Sequence, residues 1–375
     1  MITRVAIKNF KAFREAEINL TSLNLFTGMN GMGKSTFIQS LLLLRQSDAH
    51  SEPSKGLILK GGEKGIIDIG KGKDAYSIHA DSDFINFEID VNYEPYIDVS
   101  YKYIAESDVL PTVTSRFKYL KVSDDYHPAL FNKKFKYLKA ERLSPEHIYR
   151  ANFSEVKQNG FLGYRGENVP LYIALNKLEP INLDKVKHPT AQKDNLISNI
   201  DAWLSEITPG THIISTYYNE LDIVRLGYQF DNGTDVTPEF SPINVGFGFT
   251  YTLPVITAIL SAEKDDLLIV ENPEAHLHPH GQAKLGELLA KVASDGVQVI
   301  IESHSDHLFN GLRVAVKNKM INQDDVSVFY FEREDNSNEH SSIIAQPVIE
   351  SDGRISHKPR GFFDEYANQL DKIII

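Results

Sequence analysis

The stretch FTGMNGMGKSTF, residues 26–37, decides the fold. It continues the apolar segment SLNLFTG, which is typical of a strand, and leads into FIQSLLLL, which is typical of a helix. Gly28, Gly33, Lys34 and Ser35 match the pattern G-x-x-x-x-G-K-[ST] in the strand, loop and helix context that this motif requires. The sequence therefore predicts a phosphate-binding loop.

The residue types of this loop indicate how it would hold a nucleotide. Glycines let backbone N–H groups turn towards phosphate oxygens, and the helix N-terminus adds partial positive charge. Lys34 reaches the β and γ phosphates, and Ser35 offers a hydroxyl to Mg²⁺. The predicted nucleotide-binding residues are Asn30, Gly31, Gly33, Lys34, Ser35 and Thr36. The structural alternative is a glycine turn that only precedes a helix.

The remaining sequence predicts an α/β protein in three parts. Residues 1–142 contain the phosphate loop and segments such as FINFEIDVNY, YIDVSYKYI and FKYLKAERL, whose alternation favours an antiparallel sheet. Residues 143–235 indicate a helical or mixed insertion, a lid or partner-binding region, with helices at LYIALNKLEP and LISNIDAWLSEI. Residues 236–375 alternate helix with the apolar strands DLLIVE and VQVIIES, which predicts a parallel sheet.

Composition limits the function classes. A formal charge of −12 argues against a protein that binds nucleic acid over its whole surface, although local basic patches are compatible with it. The absence of cysteine excludes disulfides and thiolate metal sites, and no run approaches the roughly 20 apolar residues of a membrane helix. We therefore expect a soluble cytoplasmic protein without membrane contact.

The strand LLIV, residues 267–270, ends in carboxylates that predict a hydrolytic site. An α/β sheet places the group that orients Mg²⁺ at such a strand end, so Glu271 is the expected metal ligand together with Ser35. The next position, where a general base is usual, is Asn272, which can orient water but cannot accept its proton. We expect Glu274 to be the base, with Glu302 as the second candidate; alternatively, Glu274 only complements a helix dipole.

These motifs together resemble the ABC-type ATPases, and in detail the prokaryotic AAA-type ATPases related to the overcoming-lysogenization-defect and RecF/SMC groups. The resemblance leaves roughly residues 75–235 poorly matched. It rests on IKNFKAFREAEINL, GMNGMGKST, LLLLRQS, INVGFGFTYTLPVI, ENPEAHLHPHGQ, VIIESHSDHL and GFFDE. It implies a P-loop NTPase of the ABC/SMC-head type with an antiparallel β subdomain and a helical insertion.

The resemblance also implies a shared site in a homodimer. Signature residues would cap the γ-phosphate of the opposite subunit, residues 275–277 would touch the partner, and His304 would contact the γ-phosphate and the attacking water. The implied signature residues are Asn244, Gly246, Phe247 and Gly248. A glycine-containing turn before a buried helix is the structural alternative for this segment.

Three functions fit these expectations. The first is an ATPase whose ATP-dependent dimerisation regulates a separately encoded effector, such as a nuclease, in anti-phage defence. The second is a RecF/SMC-like ATPase of DNA repair or recombination. The third is a nucleotide-gated scaffold with little hydrolysis, which Asn272 favours.

Two further patterns have functional and structural interpretations. Lysines of the segment 55–73 and of FNKKFKYLKAER, residues 131–142, could track a nucleic-acid backbone, or could form the solvated face of a strand. His276, His278 and His280 invite a metal-site interpretation, but their spacing through a proline does not place three imidazoles on one face. We expect loop packing or a dimer contact there.

Overall fold

The computed structural model describes residues 1–50, 55–62, 65–117, 127–333 and 342–374. The chain forms two compact units. Unit 1 comprises Met1–Phe135, Ser327–Val348 and Ile355–Ile375, and unit 2 comprises Lys136–Val326 and Ile349–Arg354. Lys64, which belongs to the first lysine-rich segment, lies outside the described residues.

The strands of the described residues, in chain order, are β1 (Ile2–Phe10), β2 (Phe13–Asn19), β3 (Leu23–Gly28), β4 (Leu57–Ile58), β5 (Phe84–Val91), β6 (Glu94–Lys102), β7 (Val109–Leu110), β8 (Thr112–Phe117), β9 (Phe135–Leu138), β10 (Tyr149–Arg150), β11 (Thr211–Tyr218), β12 (Ile223–Asn232), β13 (Asp235–Val236), β14 (Leu267–Glu271), β15 (Gln298–Glu302), β16 (Val326–Arg333), β17 (Ser342–Ala345), β18 (Val348–Ile349) and β19 (Ile355–Ser356). The α-helices are α1 (Lys34–His50), α2 (Gly72–Ala75), α3 (Phe153–Asn159), α4 (Val169–Asn176), α5 (Leu196–Ile207), α6 (Phe247–Leu260), α7 (Pro279–Ser294), α8 (Asp306–Lys317) and α9 (Glu365–Ile374).

Unit 1 contains a five-stranded antiparallel sheet in the order β2-β1-β5-β6-β8. This confirms the antiparallel prediction for FINFEIDVNY and YIDVSYKYI. Alternate residues of β5, namely Ile85, Phe87 and Ile89, are buried, as expected for a sheet with one core-facing side. Phe10 of β1 meets Phe87 edge to face, with ring centroids 5.3 Å apart.

The strand that precedes the phosphate loop also belongs to unit 1. β3 lies beside β16, and β16 pairs antiparallel with β17. Phe26 of β3 stacks on Phe37 of α1 at 4.5 Å and on Phe329 of β16 at 4.9 Å. The loop therefore connects a strand and a helix that are already packed through aromatic rings.

Unit 2 contains the predicted parallel strand pair. β14 and β15 are parallel, they are joined through α7, and Glu271 lies directly opposite Glu302 in the register. All five residues of β15 and the first four of β14 are buried. This confirms the prediction that two apolar strands around a helix form a parallel sheet.

The prediction for FKYLKAERL is wrong. Only residues 135–138 form a strand, and this strand, β9, lies beside β14 instead of extending the antiparallel sheet. Tyr137 and Leu138 are both buried, so the alternation that indicated a one-sided strand breaks at this point. The neighbour of a strand depends on the chain's topology, which this short pattern does not encode.

The middle region combines helices with a hairpin. α4 and α5 confirm the two helices predicted there. The antiparallel pair of β11 and β12, eight residues in register, was not predicted. None of the described helices is long and apolar enough to cross a membrane.

Candidate functional site

The phosphate loop has the backbone geometry that its sequence requires. Gly28, Gly31 and Gly33 have φ angles of 125°, 79° and 102°, a region that favours glycine. α1 begins at Lys34, and the exposed Gly31 and Ser35 leave the loop open to solvent. The fit to a phosphate group is therefore good at the level of the backbone.

Lys34 is held inside this loop. Its side chain is 4% exposed, and Nζ donates to the carbonyl oxygens of Gly28 at 2.9 Å and Met29 at 2.7 Å. The ammonium group is thus placed by main-chain acceptors of the loop itself. A cation fixed next to a helix N-terminus is suited to binding phosphate.

Close packing fixes the two ends of the loop. A Cβ atom added to Gly28 would lie 2.2 Å from the Phe331 carbonyl oxygen of β16, and one added to Gly33 would lie 2.7 Å from the Phe13 ring. The Met29 N–H donates to the same Phe331 oxygen at 3.1 Å. Glycine is therefore needed at Gly28 for both its φ angle and its close approach to β16.

In unit 2, Glu271 ends β14 and is held by β9 and the residues that follow it. Its Oε1 accepts a hydrogen bond from the Tyr137 hydroxyl at 2.8 Å, and its Oε2 accepts one from the Ala140 N–H at 3.1 Å. The Arg142 guanidinium donates to the Glu271 carbonyl oxygen at 2.8 Å. A carboxylate has about four lone-pair sites, so these contacts leave capacity for a metal ligand.

Glu274 connects the ends of β14 and β15. Its Oε1 accepts from the His304 N–H at 3.1 Å, and its buried Oε2 has no hydrogen-bond partner among the described residues. Burial raises the pKa of Glu274, while the hydrogen bond from the His304 N–H opposes the rise. A carboxylate with a raised pKa is a better proton acceptor near neutral pH than an ordinary glutamate.

The turn at Asn272 brings Glu274 to this position. Asn272 has a φ angle of 44°, and its N–H donates to the Glu302 carbonyl oxygen at 2.7 Å. Glu302 itself is 7% exposed at the end of β15. The carboxyl end of the parallel pair therefore brings together three predicted catalytic residues, Glu271, Glu274 and Glu302, and the backbone of His304.

The predicted signature residues surround the beginning of α6. Gly246 is the N-cap residue, Asn244 and Gly246 are exposed, and Phe247 is 58% exposed. A Cβ atom on Gly248 would lie 2.9 Å from the His276 carbonyl oxygen. The structure thus brings the signature segment against residues 275–277, as well as placing it before a buried helix.

The histidines of HLHPHG take part in packing and capping. His276 meets Tyr251 of α6 edge to face at 4.5 Å, and the His278 side chain accepts from the His280 N–H at the start of α7. No group of three or more metal-binding side chains occurs among the described residues.

Several cations of the two basic segments bind other groups of the same chain. Lys136 forms an ion pair with Asp266, which is 2% exposed, and Arg142 is buried against Glu271. Lys71 and Lys73 both bind Glu106. The sequence pattern gave no signal for the ion pair of Lys136 with Asp266 or for the contacts of Tyr137 and Arg142 with Glu271.

Comparison with protein families gives two matches. Residues 23–310 match the family described as "AAA domain, putative AbiEii toxin, Type IV TA system". This match covers more than half of the chain and includes the phosphate loop, Glu271 and His304. The chain belongs to this AAA family. Residues 321–373 of the AAA protein match a second family, described as "Protein of unknown function (DUF3696)".

Solved structures show the fold of this AAA protein. An SMC head bound to the C-winged helix domain of ScpA has a TM-score of 0.53 and 13% identity, covering 93% of this chain and 98% of its own. An Smc head with an extended coiled coil, bound to a C-terminal ScpA domain derived from Pyrococcus furiosus, has a TM-score of 0.50 and 12% identity, covering 100% and 99%. The comparison with curated proteins finds no match. The AAA protein is a P-loop NTPase of the ABC/SMC-head type.

Proposed function

We propose that this chain is an ATPase that binds ATP at the phosphate loop and hydrolyses it with Glu274 as the general base. The observation that carries the proposal is the Glu274 carboxylate, which has one oxygen on the His304 N–H and the other buried without a hydrogen-bond donor among the described residues. Such a group can accept a proton from water. It supplies the base that Asn272 cannot provide.

The other predicted residues have defined roles in this proposal. Asn30, Gly31, Gly33, Lys34 and Thr36 hold the phosphates, and Ser35 and Glu271 hold Mg²⁺, which neutralises charge on the phosphates when it is bound. The fit of Glu271 to this role rests on its unused lone pairs. Its two hydrogen bonds fix the direction of the carboxylate.

We further propose that ATP closes a homodimer of this chain. The support is the beginning of α6, where a helix N-terminus next to exposed Gly246 can cap an anionic group. Exposed Phe247 and Ile243 beside it would be covered by the partner. In this proposal Asn244, Gly246, Phe247 and Gly248 act on the nucleotide of the opposite subunit.

The closed dimer would regulate a separately encoded effector in anti-phage defence, with a nuclease as the proposed class. The family description, which names a putative toxin of a type IV toxin–antitoxin system, supports a role in a multi-component system. The two SMC heads of similar fold are each bound to a domain of a second protein, ScpA. Residues 143–235 are the proposed partner-binding region.

Phosphate release tests the enzymatic part of this proposal. Wild-type protein should release phosphate with ATP and Mg²⁺, Lys34→Ala should lose ATP binding, and Glu274→Gln should bind ATP but not turn it over. A wild-type rate no faster than that of Glu274→Gln and Glu302→Gln would contradict hydrolysis. Co-purification with the products of neighbouring genes, with and without ATP, tests the effector.

A nucleotide-gated scaffold is the second candidate. Asn272 favours it, because an amide at this position orients water without removing a proton. This function predicts ATP-dependent dimerisation without phosphate release. The same measurements therefore separate the two candidates.

A further inference from the structure

The peptide group between Glu271 and Asn272 is held from both sides. Its carbonyl oxygen accepts a hydrogen bond from Arg142 at 2.8 Å, and its N–H donates to the Glu302 carbonyl oxygen at 2.7 Å. Asn272 adopts a left-handed conformation immediately afterwards, which few residues other than glycine, asparagine and aspartate adopt. The turn that leads to Glu274 thus depends on these two hydrogen bonds.

One short segment, residues 137–142, provides three hydrogen bonds to Glu271. Tyr137 and Ala140 hold the two carboxylate oxygens, and Arg142 holds the carbonyl oxygen. Burial, followed by the charge of Glu271, raises the pKa of Tyr137, so its hydroxyl stays protonated and donates. The side chain and the backbone of Glu271 are therefore fixed by the same piece of chain.

Burying the charged side chain of Arg142 costs free energy that a purely structural contact would not require. It is 2% exposed, and its Nε and Nη1 are buried without hydrogen-bond partners among the described residues. Burial lowers its pKa to about 10, while the charge of Glu271 favours the protonated form, so the side chain is a cation at neutral pH. Replacing a whole buried charge pair by apolar side chains often leaves stability unchanged, so stability alone does not require a buried arginine here, although removing only one partner is destabilising.

We propose that Arg142 is a positioning residue for ATP hydrolysis, which fixes the Glu271–Asn272 turn and places a positive charge beside Glu271. It does so by donating a hydrogen bond to the Glu271 carbonyl oxygen. Glu274 follows Glu271 by three residues, so the turn determines its position. This inference rests on the hydrolysis proposed above. It assigns a function to a residue whose sequence context indicated a nucleic-acid contact or a solvated strand.

Lys136, the residue immediately before the segment 137–142, offers a matched comparison. It is also a partly buried cation, but its partner is Asp266 at the start of β14, and no hydrogen bond joins it to Glu271 among the described residues. Removing Lys136 leaves the buried Asp266 carboxylate uncompensated. It should therefore affect stability and not the turn at Asn272.

The test compares Arg142→Met with Lys136→Met in the full chain. For Arg142→Met we expect kcat to fall about 100-fold, because misplacing a catalytic group by about 1 Å has this effect. ATP affinity should change less than about 3-fold, and the melting temperature should fall, because the Glu271 carbonyl oxygen loses its donor and the Glu271 carboxylate loses a neighbouring charge. For Lys136→Met we expect a lower melting temperature with kcat per folded molecule unchanged.

Two conservative variants keep the test decisive if Arg142→Met does not fold. Arg142→Lys restores the charge without the planar guanidinium and should recover part of kcat. Tyr137→Phe removes only the hydroxyl on Glu271 and should lower kcat by about 10-fold at unchanged ATP affinity. Wild-type kcat in Arg142→Met, or in both Arg142→Lys and Tyr137→Phe, would overturn the inference. A wild-type protein that binds ATP without hydrolysing it would instead overturn the proposed function, and the inference with it.

Discussion

Lys34 of the phosphate loop is held by carbonyl oxygens six and five residues away in the chain, whereas Glu271 is held by residues 134, 131 and 129 positions away. The hydrogen bonds of the first arrangement lie within one loop, whose glycines have positive φ angles. The second needs a separate strand, β9, to bring Tyr137 and Arg142 beside β14. The hydrogen bonds that hold the phosphate-loop lysine are therefore local, while those that hold the hydrolytic carboxylate depend on the completed sheet.

The largest expected effect comes from Glu274→Gln. Because the amide cannot accept a proton, kcat should fall about 100- to 10,000-fold while ATP affinity is retained. Single-turnover phosphate release and equilibrium binding of a fluorescent ATP analogue measure the two quantities. Glu302→Gln is the control, and a larger loss in that variant would reassign the base to Glu302.

Gly28→Ala tests the phosphate loop at its contact with Phe331 of β16. The new Cβ would lie 2.2 Å from the Phe331 carbonyl oxygen at a φ angle of 125°, so we expect a loss of about 3 kcal/mol in unfolding free energy and weak ATP binding. Gly31→Ala is the matched control, since its Cβ meets nothing within 4 Å and should cost about 1–2 kcal/mol. Urea denaturation compares them, and equal losses would contradict the role of the Phe331 contact.

Phe247→Ala tests whether the beginning of α6 acts between subunits. Because Phe247 is 58% exposed, the monomer should keep its stability within about 0.5 kcal/mol. The ATP-dependent dimer should weaken about 10-fold, the size expected for losing one interface aromatic. Sedimentation equilibrium in the Glu274→Gln background measures it. Tyr366→Ala, another exposed aromatic, should leave the dimer unchanged, and equal effects would argue against the assignment.

The smallest effect concerns pH. The pKa of Glu274 is raised by burial, so the protonated, inactive form should persist to a higher pH than for an exposed glutamate. The rate should fall as pH decreases through this raised value. Stability has the opposite sign, because the ionised form is disfavoured in the folded state and stability is lost as pH rises through the same value. The melting temperature of Glu274→Gln should therefore exceed that of the wild type once the pH has risen to the raised pKa of Glu274. If the melting temperatures of the two proteins depended on pH in the same way, the burial argument would be contradicted.

Much of the fold follows from contiguous patterns. The phosphate loop and the parallel strands β14 and β15 were predicted because a motif of eight residues and two apolar runs contain the information locally. The predictions for Glu271 and Glu302 as functional residues stay predictions, but their shared location at one end of the parallel pair follows from the strand pairing.

The supporting contacts could not be predicted in the same way. In FKYLKAER, alternating lysines and aromatics are compatible with an exposed strand, and only pairing with β14 shows that Lys136 meets Asp266 and that Arg142 is buried. These partners lie 130 and 129 residues away. A single sequence contains no local signal for such distant pairs.

The contact of Gly28 and Met29 with Phe331 also bears on the order in which the protein is synthesised. The phosphate loop leaves the ribosome before β16, which supports it and follows almost 300 residues later. A nascent chain that ends before β16 carries the complete loop sequence without its packing partner. Support of the nucleotide loop is therefore coupled to the synthesis of β16.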